Sequence, residues 1–253
     1  MEIVDTHAHL DELDNLETAL NKARESGIKA IIAVGSNMSS NQNIATICKK
    51  YPNFVYPGFG LHPWGLCDLN TSQIEETLKM IVDGIPDIIA IGEIGLDYDK
   101  RVLKKASKKL QKEVFTNLLR ISVEHDKPVS IHSRYSWKDC FDAVVQAGVK
   151  KAVFHWFTGP DNILHDILDK GYFISCTPAA EYHEDHRRII KQTPLEKLLL
   201  ETDCPVVYGK ENRYRSIPSD VVRSLAAVSK LKDIPPSLIG KQTTDNAKLV
   251  FGI

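Results

Sequence analysis

The sequence of 253 residues lacks an excess of charge of either sign, a long apolar run and an export signal. Its 32 basic and 33 acidic residues leave a formal net charge of −1, which excludes a basic nucleic-acid coat and an acidic tail. No apolar run approaches the roughly 18 residues of a membrane span, and no basic region followed by an apolar stretch opens the chain. We therefore expect a soluble, cytoplasmic protein with no membrane partner.

Motifs that mark common binding sites are also missing. The cysteines are odd in number, form no Cys-x-x-Cys pair and are expected to be reduced thiols; they are Cys48, Cys67, Cys140, Cys176 and Cys204. Neither Gly-x-Gly-x-x-Gly nor a Gly-Lys-Ser/Thr loop follows a candidate strand, so we expect no nucleotide cofactor. With 43% hydrophobic residues and no linker or repeat, residues 1–253 are expected to form a single domain.

The chain does contain a regular alternation of strand-like and helix-like segments. Eight short apolar or β-branched runs predict strands at residues 3–5, 30–34, 54–59, 88–91, 128–131, 152–154, 173–175 and 198–200. The stretches between them show helical spacing, and three close on a glycine suited to a left-handed cap: Gly27, Gly148 and Gly171. Eight such units predict an α/β fold, a single (β/α)8 TIM barrel; a doubly wound open sheet is the alternative.

Polar residues of ligand type interrupt the apolar pattern where the predicted strands end. They are His7, His9, His62, Glu93, His132, His155 and Asp203. In such a barrel the C-terminal strand ends and the loops after them carry the chemistry. Taken singly, each residue has a structural explanation, such as a packed histidine or an exposed carboxylate. When His62 is set aside, six of these residues share one end of the predicted barrel. Such groups must be paired, hydrated or metal-bound there, and their joint occurrence favours a metal site.

Four histidines and two carboxylates exceed the needs of one four-coordinate cation, so we predict a binuclear site. His7 and His9 are two residues apart, which puts both imidazoles on one face of an extended chain. The donors lack thiolate, which suits zinc, manganese or magnesium without choosing among them. Two metals indicate hydrolysis, in which Asp203 can bind a metal with one oxygen and take the proton of the attacking water with the other.

Seven segments, in order along the whole chain, carry a family resemblance: Asp5-Thr6-His7-Ala8-His9-Leu10-Asp11, Gly60-Leu61-His62-Pro63, Gly92-Glu93-Ile94-Gly95-Leu96-Asp97-Tyr98, His132-Ser133-Arg134, His155-Trp156-Phe157-Thr158-Gly159, Glu201-Thr202-Asp203-Cys204-Pro205 and Thr243-Thr244-Asp245-Asn246-Ala247. Together they resemble the TatD family of amidohydrolase-like barrels, whose characterised members are metal-dependent deoxyribonucleases. The resemblance thus implies a nuclease that cleaves DNA phosphodiester bonds.

The resemblance also implies a role for each ligand: one metal is held by His7, His9 and Asp203, a second by His132 and His155, and Glu93 is shared between them. It implies further that His62 lies on the substrate side, near the scissile phosphate. The chain departs from the family pattern at Tyr135-Ser136, at Ser216 and at Cys176-Thr177-Pro178. These departures leave the metal ligands intact and bear on the choice of substrate.

A local concentration of positive charge favours a nucleic-acid partner. Seven of the thirteen residues from Lys100 to Lys112 are basic and none is acidic. Lys109 and Lys112, at the far end, are also explained by a solvated helix face. Arg134 can hold a phosphate in its planar fork, with a structural ion pair as the alternative.

Aromatic residues close to the candidate ligands offer rings for unpaired bases, with core packing as the alternative for each: Trp64, Tyr98, Trp156 and Phe157. A barrel mouth has no helix to enter a major groove, so single-stranded DNA or frayed ends are the expected substrate. We expect exonucleolytic action by a monomer.

Two other functions are alternatives. The same metals serve attack on a carboxyl ester or amide, as in a D-aminoacyl-tRNA deacylase. The second alternative is a non-catalytic binding protein that is stabilised by structural metals. A structural metal site would, however, be closed and usually richer in cysteine.

Overall fold

A computed structural model describes residues 2–253 of the chain, and its strands pair in sequence order. Each strand is parallel to the next: β1 (Ile3–Ala8), β2 (Ile28–Val34), β3 (Val55–Phe59), β4 (Ala90–Asp97), β5 (Val129–Arg134), β6 (Ala152–Phe154), β7 (Phe173–Cys176) and β8 (Leu198–Leu200). With helices between them, the strands form a nearly closed (β/α)8 TIM barrel. The predicted fold class is therefore confirmed.

Ten helices accompany the strands in residues 2–253: α1 (Leu16–Glu25), α2 (Met38–Lys50), α3 (Thr71–Asp83), α4 (Lys100–Leu103), α5 (Lys108–Glu124), α6 (Trp137–Ala147), α7 (Asp161–Asp169), α8 (Glu184–Gln192), α9 (Val221–Lys232) and α10 (Pro236–Phe251). A short antiparallel hairpin, β9 (Val207–Tyr208) and β10 (Tyr214–Arg215), follows β8. None of these helices has the length and apolar character that a membrane crossing requires. Gly27, Gly148 and Gly171 all have positive φ, as predicted for residues that end a helix.

The barrel closes between the end of β1 and the segment after β8. The amide N–H of His9 donates to the carbonyl oxygen of Cys204 at 2.8 Å, and the amide N–H of Asp203 donates to that of His7 at 2.9 Å. These backbone hydrogen bonds fix three of the predicted ligands against one another. The closure of the barrel thus also builds part of the site.

The N-terminal end of the barrel is covered by the last turns of α10. Alternate strand residues face inward and form one cluster with α10: Val4, Ala30, Ile32, Val34, Ala90, Val153, Phe173 and Leu199 with Ala247, Val250 and Phe251. The side-chain amide of Asn246 donates to the carbonyl oxygens of Leu195 and Leu198, both at 2.8 Å. The C-terminal end is therefore the mouth that is left for chemistry.

Three strands continue at least three residues past their predicted C-terminal ends. The apolar runs end at Asp5, Ile91 and Ile131, whereas β1, β4 and β5 continue to Ala8, Asp97 and Arg134. Register shifts between Asp5 and Ala8, and between Ile91 and Ile94, accompany the longer strands. The prediction was wrong because the end of each apolar run was taken as the end of the strand. These three strands continue through polar residues that face one another at the mouth.

Candidate active site

All six predicted metal ligands meet at the mouth of the barrel, around the carboxylate of Glu93. Its Oε2 lies 3.5 Å from Nε2 of His7 and 3.2 Å from Nε2 of His9. Its Oε1 lies 3.0 Å from Nδ1 of His132 and 2.8 Å from Nε2 of His155. The two oxygens of one buried carboxylate therefore face two different pairs of histidines.

Asp203 completes the group around the first pair. Its Oδ1 lies 3.6 Å from Nε2 of His7 and 3.5 Å from Nε2 of His9. One ligand atom from each of these three residues falls within 4.8 Å of the others. Asp203 has a positive φ of 50°, a conformation that costs a non-glycine residue free energy and that turns its carboxylate toward the histidines.

Two further sets of ligand atoms meet the same 4.8 Å limit. One contains His62 with Glu93 and His132, and the other contains His7 and His155 with Glu201. His62 thus lies within the cluster rather than at its edge. Glu201 was not predicted as a site residue.

Both carboxylates are held in their ionised form. Burial alone raises the pKa of Glu93, but the neighbouring imidazoles of His62 and His155, and hydrogen bonds with His132 and His155, hold it well below its usual range. Burial likewise raises the pKa of Asp203, and the hydrogen bond with His9 and the nearby histidine charges lower it overall. The mouth therefore carries fixed negative charge between imidazole rings.

The residues present fit a divalent metal. Imidazole and carboxylate donors without thiolate suit zinc, manganese or magnesium. Within residues 2–253, the buried Nε2 of His7 and Nδ1 of His9 have no hydrogen-bond partner. Unpaired buried polar atoms are costly, and a cation between the histidines and carboxylates satisfies the Nε2 atom of His7.

A family model described as TatD related DNase matches residues 4–252. The chain belongs to the TatD family. Human deoxyribonuclease TATDN3 is 28% identical, with 98% of this chain and 94% of that one covered. The Bacillus subtilis protein named uncharacterized metal-dependent hydrolase YabD is 29% identical over 99% of each chain. The crystal structure of YJJV, a TatD homologue from Escherichia coli, is 25% identical and superposes with a TM-score of 0.89 over 99% of this chain and 98% of that one.

As a TatD-family member the protein is a metal-dependent hydrolase that acts on ester bonds. The family resemblance seen in the motifs and the predicted enzyme class are thereby confirmed. The structural likeness to YJJV agrees with the barrel described above. The number of ions, their identity and the residues that hold them stay predictions.

In the TatD barrel, three of the proposed histidine ligands also have a buried partner on the ring nitrogen that points away from Glu93. The pairs are Ser130 Oγ with His7 Nδ1 at 2.9 Å, Asp97 Oδ2 with His132 Nε2 at 3.1 Å, and Glu201 Oε1 with His155 Nδ1 at 3.5 Å. The first two are hydrogen bonds, which fix the tautomer and the ring orientation of a metal-binding histidine. The third is a longer contact between buried groups, and within residues 2–253 Nδ1 of His155 has no hydrogen-bond partner.

Sequence reasoning missed these three partners, although a signal was present. Ser130 stands two residues before His132, and Glu201 stands two residues before Asp203. Asp97 stands four residues after Glu93 within β4. Even spacing along an extended strand puts side chains on one face. Applied to ligands within strands, that rule finds Ser130 and Asp97, whereas Glu201 and Asp203 follow the end of β8 and Asp203 has a positive φ.

Two glycines in the family motifs allow neighbouring strands to come close together at the mouth. A Cβ atom at Gly60 would clash with the backbone of Gly92 and Glu93, and one at Gly95, whose φ is +151°, would clash with the carbonyl group of His132. Buried Asn41 also holds Gly60, because its side chain bonds both the N–H and the C=O of that residue, at 3.0 and 2.9 Å. The motifs therefore place Glu93 close to both of its neighbouring strands.

The predicted basic segment is partly neutralised. Arg101 pairs with Asp99, Lys105 with Asp68 and Lys112 with Asp139, at 3.0, 3.0 and 2.8 Å. Lys112 thus forms a structural ion pair, in keeping with the expectation that the far end of this segment is not a phosphate site. Arg134 at the end of β5 is 39% exposed, and its nearest carboxylate oxygen, Asp99 Oδ2, is 3.6 Å away.

The aromatic residues near the ligands differ in their availability. Phe157 is fully buried, which is the core-packing alternative given for each of these residues. Tyr98 donates its hydroxyl to Asp139 at 2.6 Å, and half-buried Trp156 packs against Tyr208. Trp64 is 53% exposed and is the member of the group with a free face.

Proposed function

We propose that this TatD-family protein hydrolyses phosphodiester bonds of DNA with two divalent metal ions bound at the mouth. The observation that carries the proposal is the position of Glu93, whose two oxygens face the His7–His9 pair and the His132–His155 pair. A carboxylate between two groups of imidazoles is suited to bridge two cations. The names of the relatives, which include a human deoxyribonuclease, support DNA as the substrate.

In this proposal His7, His9 and Asp203 would hold one ion, His132 and His155 would hold the other, and Glu93 would be shared between the two sets. Magnesium, manganese and zinc all suit these donors. Such ions supply positive charge that polarises a phosphoryl oxygen and stabilises the leaving oxygen. The hydrogen bonds with Ser130 and Asp97 orient His7 and His132 for that purpose, and Glu201 lies beside His155.

Asp203 is proposed as the general base. Its Oδ1 faces His7 and His9, which leaves Oδ2 to accept the proton of the attacking water. Its carboxyl group is ionised because hydrogen bonding and the nearby histidines lower its pKa despite burial. The attack then displaces the sugar oxygen on the opposite side of phosphorus.

His62 is proposed to contact the scissile phosphate rather than to bind metal. Its Nδ1 accepts the amide N–H of Trp64 at 3.1 Å, so the proton of the neutral ring lies on Nε2. That nitrogen, 3.4 Å from Glu93 Oε1, is a hydrogen-bond donor and suits a phosphate oxygen better than a cation. The tautomer thus supports the role that the family resemblance implies.

Arg134 is proposed as a second phosphate contact. We expect Arg134→Ala to raise KM for a DNA oligonucleotide about tenfold, with little change in kcat, because one charge-assisted contact is lost. Steady-state hydrolysis measures both constants. Arg120→Ala is the matched control, since Arg120 pairs with Glu124 near the far end of α5. Equal KM values for Arg134→Ala and the wild type would remove Arg134 from the phosphate site.

We further propose that the substrate is single-stranded DNA or a frayed end, that cleavage is exonucleolytic, and that residues 1–253 act as one hydrolase domain in a monomer. The match of the family model to residues 4–252 supports a single unit. The site is built from strand ends and loops at the mouth of a barrel, rather than on a helix that could enter a major groove.

Metal removal and restoration test the proposal. Protein stripped of metal should leave a labelled single-stranded oligonucleotide intact, and addition of magnesium, manganese or zinc should restore cleavage. Metal analysis of the active protein should find two ions per chain. The Asp203→Asn variant, treated identically, is the control and should stay inactive.

Two outcomes would contradict the nuclease. A protein that holds two ions, spares DNA and hydrolyses an aminoacyl ester or amide would be an ester or amide hydrolase, such as a D-aminoacyl-tRNA deacylase. A protein that takes up no ion at the mouth would lack the proposed mechanism altogether.

A further inference from the structure

Trp64 is an exposed aromatic residue that stands between two buried leucines in the loop after β3. Leu61 is 1% exposed and Leu66 is 3% exposed, whereas Trp64 between them is 53% exposed. The loop therefore has apolar residues that fix it to the barrel without the indole. Single exposed apolar residues are common on protein surfaces, so the case for a function rests on the geometry of this loop.

The loop holds the indole in one place. Its Nε1–H donates to Oδ2 of Asp97 at 2.7 Å, which fixes the orientation of the ring. The amide N–H of Gly65 donates to the carbonyl oxygen of His62 at 2.9 Å, which makes a tight turn. A Cβ atom at Gly65 would lie 2.8 Å from the carbonyl oxygen of Ser36, so the turn packs closely on the loop after β2. The exposed face belongs to a ring that is already ordered.

The ring stands beside the residues proposed to act on the phosphate. Its centroid lies 5.8 Å from that of His62, at an interplanar angle of 74°. Asp97 Oδ2, which accepts from the indole, also lies 3.1 Å from Nε2 of His132. An aromatic face is thus fixed at the edge of the site, with its polar edge directed inward and its apolar face exposed.

We propose that Trp64 forms a nucleobase subsite, on which one unpaired base next to the scissile phosphate stacks. The inference rests on the proposed phosphodiesterase and adds the substrate feature that this site recognises. Stacking on an aromatic ring is tolerant of sequence, because every base has a π face. A base within a duplex is already stacked on both sides, so the subsite selects single strands and frayed ends.

An ordered ring stacks on a base with a smaller loss of conformational entropy than a mobile ring. The hydrogen bond to Asp97 therefore has two effects. It holds the indole in a fixed orientation, and it links the base subsite to His132 through one carboxylate. Substitution of Trp64 can act through either effect. Two substitutions and two substrates separate them.

The test uses metal-loaded protein with Trp64→Leu, Trp64→Phe or no substitution. The substrates are a short oligothymidylate and an oligomer of the same length and backbone that carries no bases. Hydrolysis is followed by chromatography and binding by calorimetry, both without a label. Trp64→Leu should lower kcat/KM and affinity for the oligothymidylate about tenfold, the factor for 1.4 kcal/mol, and leave the base-free oligomer unaffected. Trp64→Phe keeps a ring without the N–H and should stay close to the wild type.

Three other results would decide against the subsite or against the nuclease. Equal losses by Trp64→Leu on both oligomers would overturn the subsite and show that Trp64 acts through Asp97. No loss on either oligomer would overturn it outright. Binding that depends on both Trp64 and the bases, in a protein that cleaves neither oligomer, would uphold the subsite and remove the proposed nuclease.

Discussion

Glu93→Gln is expected to reduce turnover by about a thousandfold or more and to lower the metal content below two ions per chain. In the proposed site Glu93 alone reaches both histidine pairs, through Oε2 on one side and Oε1 on the other. Glutamine keeps the size of the side chain, but it carries no charge and has one oxygen instead of two. Loss of a bridge costs several kcal/mol of transition-state stabilisation, and about 4 kcal/mol corresponds to a thousandfold.

Oligonucleotide hydrolysis and elemental analysis of the same preparation measure both effects. Glu113→Gln, on the exposed side of α5, applies the same chemical change away from the mouth and should behave as wild type. Circular dichroism of both variants establishes that the barrel is intact. A Glu93→Gln protein that keeps two ions and full turnover would show that Glu93 is no bridge.

The sequence predicted the barrel because each strand buries a short apolar run. Residues 152–154 and 198–200 were predicted with the bounds that β6 and β8 have in the structure. The largest errors at the predicted ends, of at least three residues, were in β1, β4 and β5, the three strands that carry His7, Glu93 and His132. In the sequence, a polar residue after an apolar run was interpreted as the end of a strand. In these three strands the polar residues belong to the candidate site.

The candidate ligands could be found from the sequence because they interrupt apolar strands at one end of a barrel. The partners behind them could not be assigned in the same way, since Asp97 and Glu201 read as ordinary carboxylates within a motif. Their function depends on which ring nitrogen they face, which is a property of the packed barrel. Strand spacing could have suggested Asp97, and the structure alone shows the contacts of both residues.

The direction of aromatic side chains was the least predictable feature. Trp156 and Phe157 are adjacent, and strand alternation does not apply to them because Trp156 has a positive φ of 39°. The turn buries Phe157 fully and packs Trp156 on Tyr208. Trp64 is exposed for a different reason, the tight turn at Gly65, which has no apolar pattern to reveal it.

Three of the six non-glycine residues with positive φ in residues 2–253 lie beside or within the proposed site. Trp156 follows His155, Tyr135 follows Arg134, and Asp203 is itself such a residue, with φ of 39°, 56° and 50°. Each costs free energy that the surrounding barrel must offset. Where the chain leaves a strand at the mouth, the backbone thus gives up local stability to place side chains.

Asp203→Asn is expected to lower kcat by about 10²- to 10⁴-fold, the usual contribution of a general base, while KM and metal content change little. Asparagine has the same shape, and its amide oxygen can still face His7 and His9 as Oδ1 does in Asp203. What it lacks is a second oxygen able to take a proton. The substitution therefore separates the two roles assigned to Asp203.

Asp203→Ala completes the comparison, because it removes both the ligand oxygen and the base. We expect Asp203→Ala to lose metal as well as turnover, whereas Asp203→Asn keeps the metal and loses turnover. Single-turnover hydrolysis with protein in excess shows whether the chemical step is the one that slows. If the chemical step of Asp203→Asn is normal, another residue is the base. If Asp203→Asn loses metal as fully as Asp203→Ala, metal binding requires the charge of Asp203. The loss of turnover is then explained by ligation alone.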